Sequence, residues 1–185
     1  QVTKWKVGDK VITSDYAMWL DGPLTPEKEA KGLDLCYTCD GCMSQLFAMH
    51  ENAFAKMPAH LSYEQASVLP CTGVTAWNAV STYGDLKAGQ TVLLLGTGGV
   101  SIFALQFAKV MGARVIITGV NDDVLALAKE HGADECINFV KNPEWHKNVL
   151  ALTAGQGVDL VVETVGPATF NQSMMSTKQN GTICV

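Results

Sequence analysis

The stretch Thr91-Val92-Leu93-Leu94-Leu95-Gly96-Thr97-Gly98-Gly99-Val100-Ser101 decides the fold. Its first half is a short aliphatic run of the kind that forms a buried strand. Its second half is a glycine-rich turn. Val100–Met111 then repeats apolar residues at helical spacing, with Val100, Phe103, Ala104, Phe107, Ala108 and Met111 on one face. Ile102 and Leu105 extend that face and predict a well-buried helix. A strand that enters a helix through glycines is a ready anion site. Gly96 permits the tight turn, and Gly98 lets the main chain reach a phosphate with no Cβ between. The first N–H groups of the helix then face the anion. Position 101 is Ser where the dinucleotide fingerprint has Gly. Ser is small enough for close helix–strand packing, and its hydroxyl is available to a phosphate. No Gly-Lys-Ser/Thr follows, which disfavours a mononucleotide P-loop. Gly96, Thr97, Gly98, Gly99, Val100 and Ser101 are therefore expected to hold the pyrophosphate of a dinucleotide.

Downstream, strands and helices alternate. Val115–Thr118 reads as the next strand, and Asn121 or Asp122 as the cap of a helix running to about His131. Cys136–Phe139 is a third strand. Pro143 suits the first turn of a further helix, whose inner face carries Trp145, Val149 and Leu152. Val158–Glu163 is a fourth strand and Gly181–Val185 a fifth. This alternation predicts an α/β class with a partial doubly wound parallel sheet. Sites that take NAD(H) carry an acid at the end of the second strand, about 20 residues past the glycines, to bond the ribose 2′-hydroxyl. Thr118-Gly119-Val120 occupies that place. An acid would repel a 2′-phosphate, so Gly119 favours NADP(H) over NAD(H), and Gly119 and Asn121 join the residues expected to bind the cofactor. Asp122 and Asp123 read as acids complementing the helix dipole. No Lys or Arg lies within 119–125 to pair a 2′-phosphate.

Upstream the texture changes. Residues 1–60 are irregular, with short apolar pieces such as Val11-Ile12 and Leu46-Phe47 between turn formers, and Gly22-Pro23 and Thr25-Pro26 marking a loop. The 185 residues are 48% hydrophobic and 17% charged, which supports a packed core. The net charge of −5, with no basic block, argues against nucleic acid or an anionic membrane as partner. The longest aliphatic run, Val92 to Leu95, is too short to span a bilayer, and the opening Gln-Val-Thr-Lys-Trp-Lys has no apolar signal core. A cytoplasmic protein is expected. Six cysteines are too few for a disulfide scaffold and are expected as thiols. The chain opens without Met and stops inside a strand, so it reads as a fragment of a larger enzyme, inactive alone.

Several motifs occur in a telling order. Val7-Gly8-Asp9-Lys10-Val11 is followed by Leu69-Pro70-Cys71 and Thr75-Ala76-Trp77, then by Leu86-Lys87-Ala88-Gly89-Gln90-Thr91-Val92 and the glycine turn. Together with Trp19-Leu20-Asp21-Gly22-Pro23-Leu24-Thr25, they resemble the medium-chain dehydrogenase/reductase superfamily, nearest its quinone-oxidoreductase-like, zinc-type alcohol dehydrogenase-like branch. The resemblance implies part of a GroES-like β-rich catalytic domain over residues 1–71 and part of a Rossmann domain over 72–185. It implies hydride transfer between NADP(H) and a small carbonyl, enone or quinone, in a full-length homo-oligomer. It places Thr75 near the nicotinamide, and Thr164, Val165 and Gly166 along the cofactor, although Thr164 also reads as a plain turn hydroxyl. Glu163 reads as a hydrogen-bonded strand end. Zinc-dependent alcohol oxidation is the alternative chemistry, and a nucleotide-binding sensor without turnover is the alternative class.

Zinc depends on the cysteines. Cys36, Cys39 and Cys42 have metal-ligand spacing, and His50 stands where zinc alcohol dehydrogenases have a fourth Cys. The resemblance makes Met43–Met49 a strand, which would hold Cys42 and His50 roughly 26 Å apart. A structural zinc is therefore not expected. Cys71 aligns with a catalytic zinc ligand of the alcohol dehydrogenases. It is expected instead as a small buried residue beside the cofactor. His50, His60, His131 and His146 show no spacing with carboxylates that nominates a general base.

Overall fold

In the computed structural model, which describes residues 2–16, 19, 21–31 and 35–185, the chain divides into two compact units, Gln1–Cys71 and Thr72–Val185. The first has little regular structure. Strand β1 (Val11–Thr13) pairs antiparallel with β2 (Phe54–Lys56), in register Val11 to Lys56 and Thr13 to Phe54. Helix α1 spans Pro26–Lys31 and α2 spans Tyr63–Ser67. A capping box starts α2: the Gln65 N–H donates to Ser62 Oγ, and the Ser62 N–H donates to the Gln65 side chain. Among the described residues of this unit, only Ala53, Met57 and Ala66 are buried hydrophobics. Met43–Met49 forms no strand. Ser44 turns the chain there instead, its N–H donating to the Cys42 carbonyl and its hydroxyl to the Leu46 carbonyl.

The second unit is built on a five-stranded parallel sheet. After helix α3 (Val74–Trp77) and a wide helical turn at Asn78–Thr82 come β3 (Thr91–Leu94), α4 (Gly99–Val110), β4 (Arg114–Gly119) and α5 (Asp122–Glu130). Then follow β5 (Glu135–Asn138), α6 (Trp145–Leu152), β6 (Val158–Val162), α7 (Pro167–Ser176) and β7 (Thr177–Cys184). The strand order is β5-β4-β3-β6-β7. Side chains alternate across the sheet, and both faces are covered. Val92, Leu94, Val115, Ile117, Leu160 and Val162 pack on one face with α4 and α5 residues such as Ala104, Leu105, Ala108 and Leu125. Leu93, Leu95, Ile116, Val158 and Val161 pack on the other with Trp145 and Val149 of α6. Buried aliphatic strands with helices on both sides are the parallel-sheet solution, so the expected α/β fold with a partial doubly wound sheet is present. No described helix is long and apolar enough to cross a membrane.

Details differ from the sequence reading. In α4 the fully buried positions are Ser101, Ala104, Leu105 and Ala108. Phe103 and Phe107 lie to one side, half-buried, and Phe107 meets Trp77 edge-on at 5.4 Å between ring centroids. Pro143 precedes α6 instead of opening it. The last strand begins at Thr177, before Gly181, because a register shift between Val158 and Leu160 lets a bulge carry it past Asn180 and Gly181.

Candidate functional site

Neighbouring strands β3 and β6 send their following helices to opposite faces, and the crevice this leaves at their carboxyl ends is where open α/β sheets bind ligands. The glycine turn lies at one side of the crevice and Thr164–Gly166 at the other. One acceptor joins them. The Leu95 carbonyl receives the hydroxyls of both Ser101 and Thr164, each at 2.7 Å. The Gly96 N–H donates to Thr118 Oγ1 at 3.2 Å, which ties the turn to the end of β4. Gly96 has φ +76°, a conformation that only glycine adopts without strain.

Gly98 is the N-cap of α4, and no side chain caps it. Gly99, Val100 and Ser101, the first helical residues, therefore present N–H groups without an intrahelical acceptor. A Cβ built on Gly98 would meet nothing within 4 Å. The turn is thus a cradle with donors at its rim and open space above its backbone, which fits the pyrophosphate of a dinucleotide. The Ser101 hydroxyl takes no part. It is 1% exposed and points into the fold at Leu95, so the expectation that it reaches a phosphate is corrected. What Ser101 offers the site is its backbone.

Gly119, at the end of β4, packs closely against the side chains of Leu125 and Thr97. A Cβ there would stand 2.9 Å from Leu125 Cδ2 and 3.1 Å from Thr97 Cγ2. A side chain here would have to displace the ends of Leu125 and Thr97. Asn121 spends its Oδ1 on the first turn of α5, accepting from the N–H groups of Asp123 at 2.8 Å and Val124 at 3.4 Å. Beyond it a cleft of about 370 Å³ opens, lined by Val120, Asn121, Asp122, Asp123, Val140 and Lys141 among others. Lys141 lies outside the segment 119–125, which holds no Lys or Arg. Parallel pairing of Gly119 with Asn138 brings the residues just past β5 beside the end of β4, and that register was the signal available.

A second cleft of the same unit, about 490 Å³, is lined by Thr75, Tyr83, Val100, Glu163, Thr164 and Cys184 among others. It brings together three residues nominated from the sequence, Thr75, Val100 and Thr164. Glu163 is buried, but its carboxylate is engaged. It accepts from the N–H groups of Val165 at 2.8 Å and Gly166 at 3.0 Å, from Thr169 Oγ1 at 2.9 Å, and from Ser173 Oγ. Burial pushes this carboxyl up, while hydrogen bonds from Ser173, Gly166, Val165 and Thr169 together pull it below the ordinary value. Glu163 therefore shapes the turn at Thr164–Gly166 and stays charged.

Cys71 is exposed on the wide helical turn Leu69–Gly73, not buried as expected. Two of the three spaced cysteines, Cys36 and Cys42, are exposed, and Cys39 is half-buried. Among the described residues no group of three or more His, Cys, Asp or Glu side chains could hold a metal ion.

A family described as zinc-binding dehydrogenase matches residues 99–185. A zinc-type alcohol dehydrogenase-like protein of Schizosaccharomyces pombe is 40% identical over 184 residues, 98% of this chain and 53% of that protein. A candidate alcohol dehydrogenase from Sinorhizobium meliloti 1021 superposes with a TM-score of 0.90 at 38% identity, covering 98% of this chain and 53% of that one. An NAD-dependent alcohol dehydrogenase gives 0.87 at 32% identity, covering 98% and 54%. A mycobacterial protein complexed with NADPH gives 0.68 at 32% identity, covering 72% and 41%. The chain spans about half the length of the relatives it matches along its whole extent. These likenesses join a parallel sheet ordered about its glycine turn and a crevice fitted to a dinucleotide: the chain belongs to the medium-chain dehydrogenase/reductase superfamily.

Proposed function

We propose that Thr72–Val185 is the cofactor-binding part of an oxidoreductase that moves a hydride between NADP(H) and a small conjugated carbonyl, an enone or quinone. Gln1–Cys71 is then part of its GroES-like catalytic domain. The observation that carries this reading is the uncapped start of α4 above open space at Gly98. Backbone N–H groups of Gly99, Val100 and Ser101 would neutralise the pyrophosphate. Thr164–Gly166, shaped by Glu163, would run along the cofactor, and Thr75 and Val100 would line the nicotinamide end. When bound, the nicotinamide supplies the hydride, and the chain's part is to orient it and keep water away. The missing acid at Gly119 supports NADP(H), as does the NADPH-complexed relative; the NAD-dependent relative weighs the other way.

The test is titration of the protein with NADPH and NADH, followed by tryptophan fluorescence, alongside Gly98→Val. The backbone at Gly98 (φ −76°, ψ 175°) suits any residue, so the variant folds and differs by filling the cradle. NADPH should bind tighter than NADH, and Gly98→Val should weaken both by about a hundredfold or more without lowering the melting temperature. Undiminished binding by Gly98→Val would overturn the assignment. NADH binding equal to or tighter than NADPH would overturn the preference.

A further inference from the structure

Gly119 removes an objection to a 2′-phosphate but supplies nothing to hold one. The cleft beside it does. It lies at the carboxyl ends of β4 and β5, the same edge of the parallel sheet that carries the glycine turn after β3, and its lining residues Val120–Asp123 follow directly on Gly119. Lys141 is the cation among its lining residues. The loop that carries Lys141 is pinned by Asn138. Asn138 Oδ1 accepts from the N–H groups of Val140 at 3.0 Å and Lys141 at 3.3 Å, while its Nδ2 donates to the Val120 carbonyl at 3.2 Å and to Asp122 Oδ1 at 2.7 Å. One side chain thus locks the end of β5 to the turn after β4. The Lys141 ammonium donates to Asp122 Oδ2, and both side chains remain more than half exposed.

Resting on the dinucleotide reading above, we propose that Lys141 is the residue that recognises the 2′-phosphate, held in reserve by Asp122 until the phosphate arrives. A phosphate monoester carries about −1.5 to −2 charge near neutral pH and offers three acceptor oxygens. Against a single carboxylate it is the stronger partner for an exposed ammonium. Asp122 and Asp123 both stand on this rim and oppose an anion, so removing Lys141 leaves two carboxylates with no cation among the lining residues. NADH has no group for Lys141, and its binding should ignore the residue.

The test measures dissociation constants of NADPH, NADH and the fragments 2′,5′-ADP and 5′-AMP for the protein, for Lys141→Ala and for Asp122→Asn. Lys141→Ala should weaken NADPH and 2′,5′-ADP about tenfold or more, leave NADH and 5′-AMP within about twofold, and flatten the salt dependence of NADPH binding. Asp122→Asn should tighten NADPH and 2′,5′-ADP severalfold. If Lys141→Ala changes NADPH and NADH alike, or neither, the assignment to Lys141 is overturned while the dinucleotide site stands. If the unaltered protein binds none of the four ligands, the dinucleotide reading fails and this inference with it.

Discussion

The two units of this chain solve the problem of stability differently. Thr72–Val185 buries aliphatic side chains on both faces of one sheet, so each strand is held by helices above and below. Gln1–Cys71 buries Ala53, Met57 and Ala66 among its described residues and leaves Val7, Tyr37, Met43 and Leu46 open to solvent. It is joined by polar ties instead. Glu51 accepts from the N–H groups of Thr3 at 2.7 Å and Lys4 at 2.8 Å, and Trp5 Nε1 donates to the Glu51 carbonyl at 2.7 Å. Burial of apolar area stabilises by roughly 25 cal/mol per Å², whereas an exposed polar tie largely exchanges one water partner for another. The difference predicts where substitutions hurt.

The largest contrast should come from equal truncations. Leu93→Ala in β3 removes a fully buried side chain and should cost about 2–5 kcal/mol. Leu46→Ala, at a residue 91% exposed, should stay within about 0.5 kcal/mol. Urea unfolding followed by circular dichroism measures both. A cost for Leu46→Ala close to that of Leu93→Ala would show that the first unit has a core of its own around Leu46.

A second contrast concerns two carboxylates. Glu163, buried among four donors, and Glu51, exposed among backbone N–H groups, are both held below the ordinary carboxylate value. For Glu51 the Lys4 N–H is the main cause and the Thr3 N–H the next. A carboxyl depressed in the folded state stabilises above its unfolded value, near 4.5, and loses that contribution as pH falls through its folded value. Glu163→Ala would strand the hydroxyls of Thr169 and Ser173 without their acceptor and should cost about 2–3 kcal/mol at pH 7. Glu163→Gln should make the fall in melting temperature below pH 4.5 shallower. Glu51→Gln should change that slope less, because water screens its partners. Equal changes in slope would break the contrast.

The same division explains what the sequence could tell. Where the core is periodic, the elements were readable: the strands expected at Thr91–Leu95, Val115–Thr118 and Val158–Glu163 fall within two residues of β3, β4 and β6, and alternate with helices whose ends are set by Asn121, Gly112 and Gly132. Boundaries slipped where a bulge intervened, as at Asn180-Gly181, since nothing in a linear pattern marks a register shift. The wide helical turns around α3 escaped because Pro70 and Gly73 interrupt the pattern there. In the first unit little is periodic, so the expectation of a strand at Met43–Met49 had no pattern of its own behind it and failed. At the site, backbone chemistry was legible and side-chain direction was not. The glycines announced the cradle, but the Ser101 hydroxyl turned inward, and Lys141 entered only through the pairing of β5 with β4.

The smallest contrast lies in the helix caps. Asn121 caps the nine-residue α5 with its side-chain oxygen, while His50 Nδ1 accepts from the Asn52 N–H at 3.2 Å over a single turn at Glu51–Ala53. A cap is worth what depends on it. Losing Asn121 frays a helix that places Leu125 and Ala128 against the sheet, so Asn121→Ala should cost about 1 kcal/mol. Losing His50 frays one turn with one buried alanine, Ala53, and His50→Ala should cost a few tenths at most, about 0.3 kcal/mol. Hydrogen exchange separates the two cases more sharply than global unfolding. Asn121→Ala should speed exchange through the first turn of α5 and into Val124 and Leu125, whereas His50→Ala should speed it only at Asn52 and Ala53. If acceleration from His50→Ala spread to β1 and β2, the first unit would be cooperative in spite of its thin core, and the contrast between the units would be one of degree.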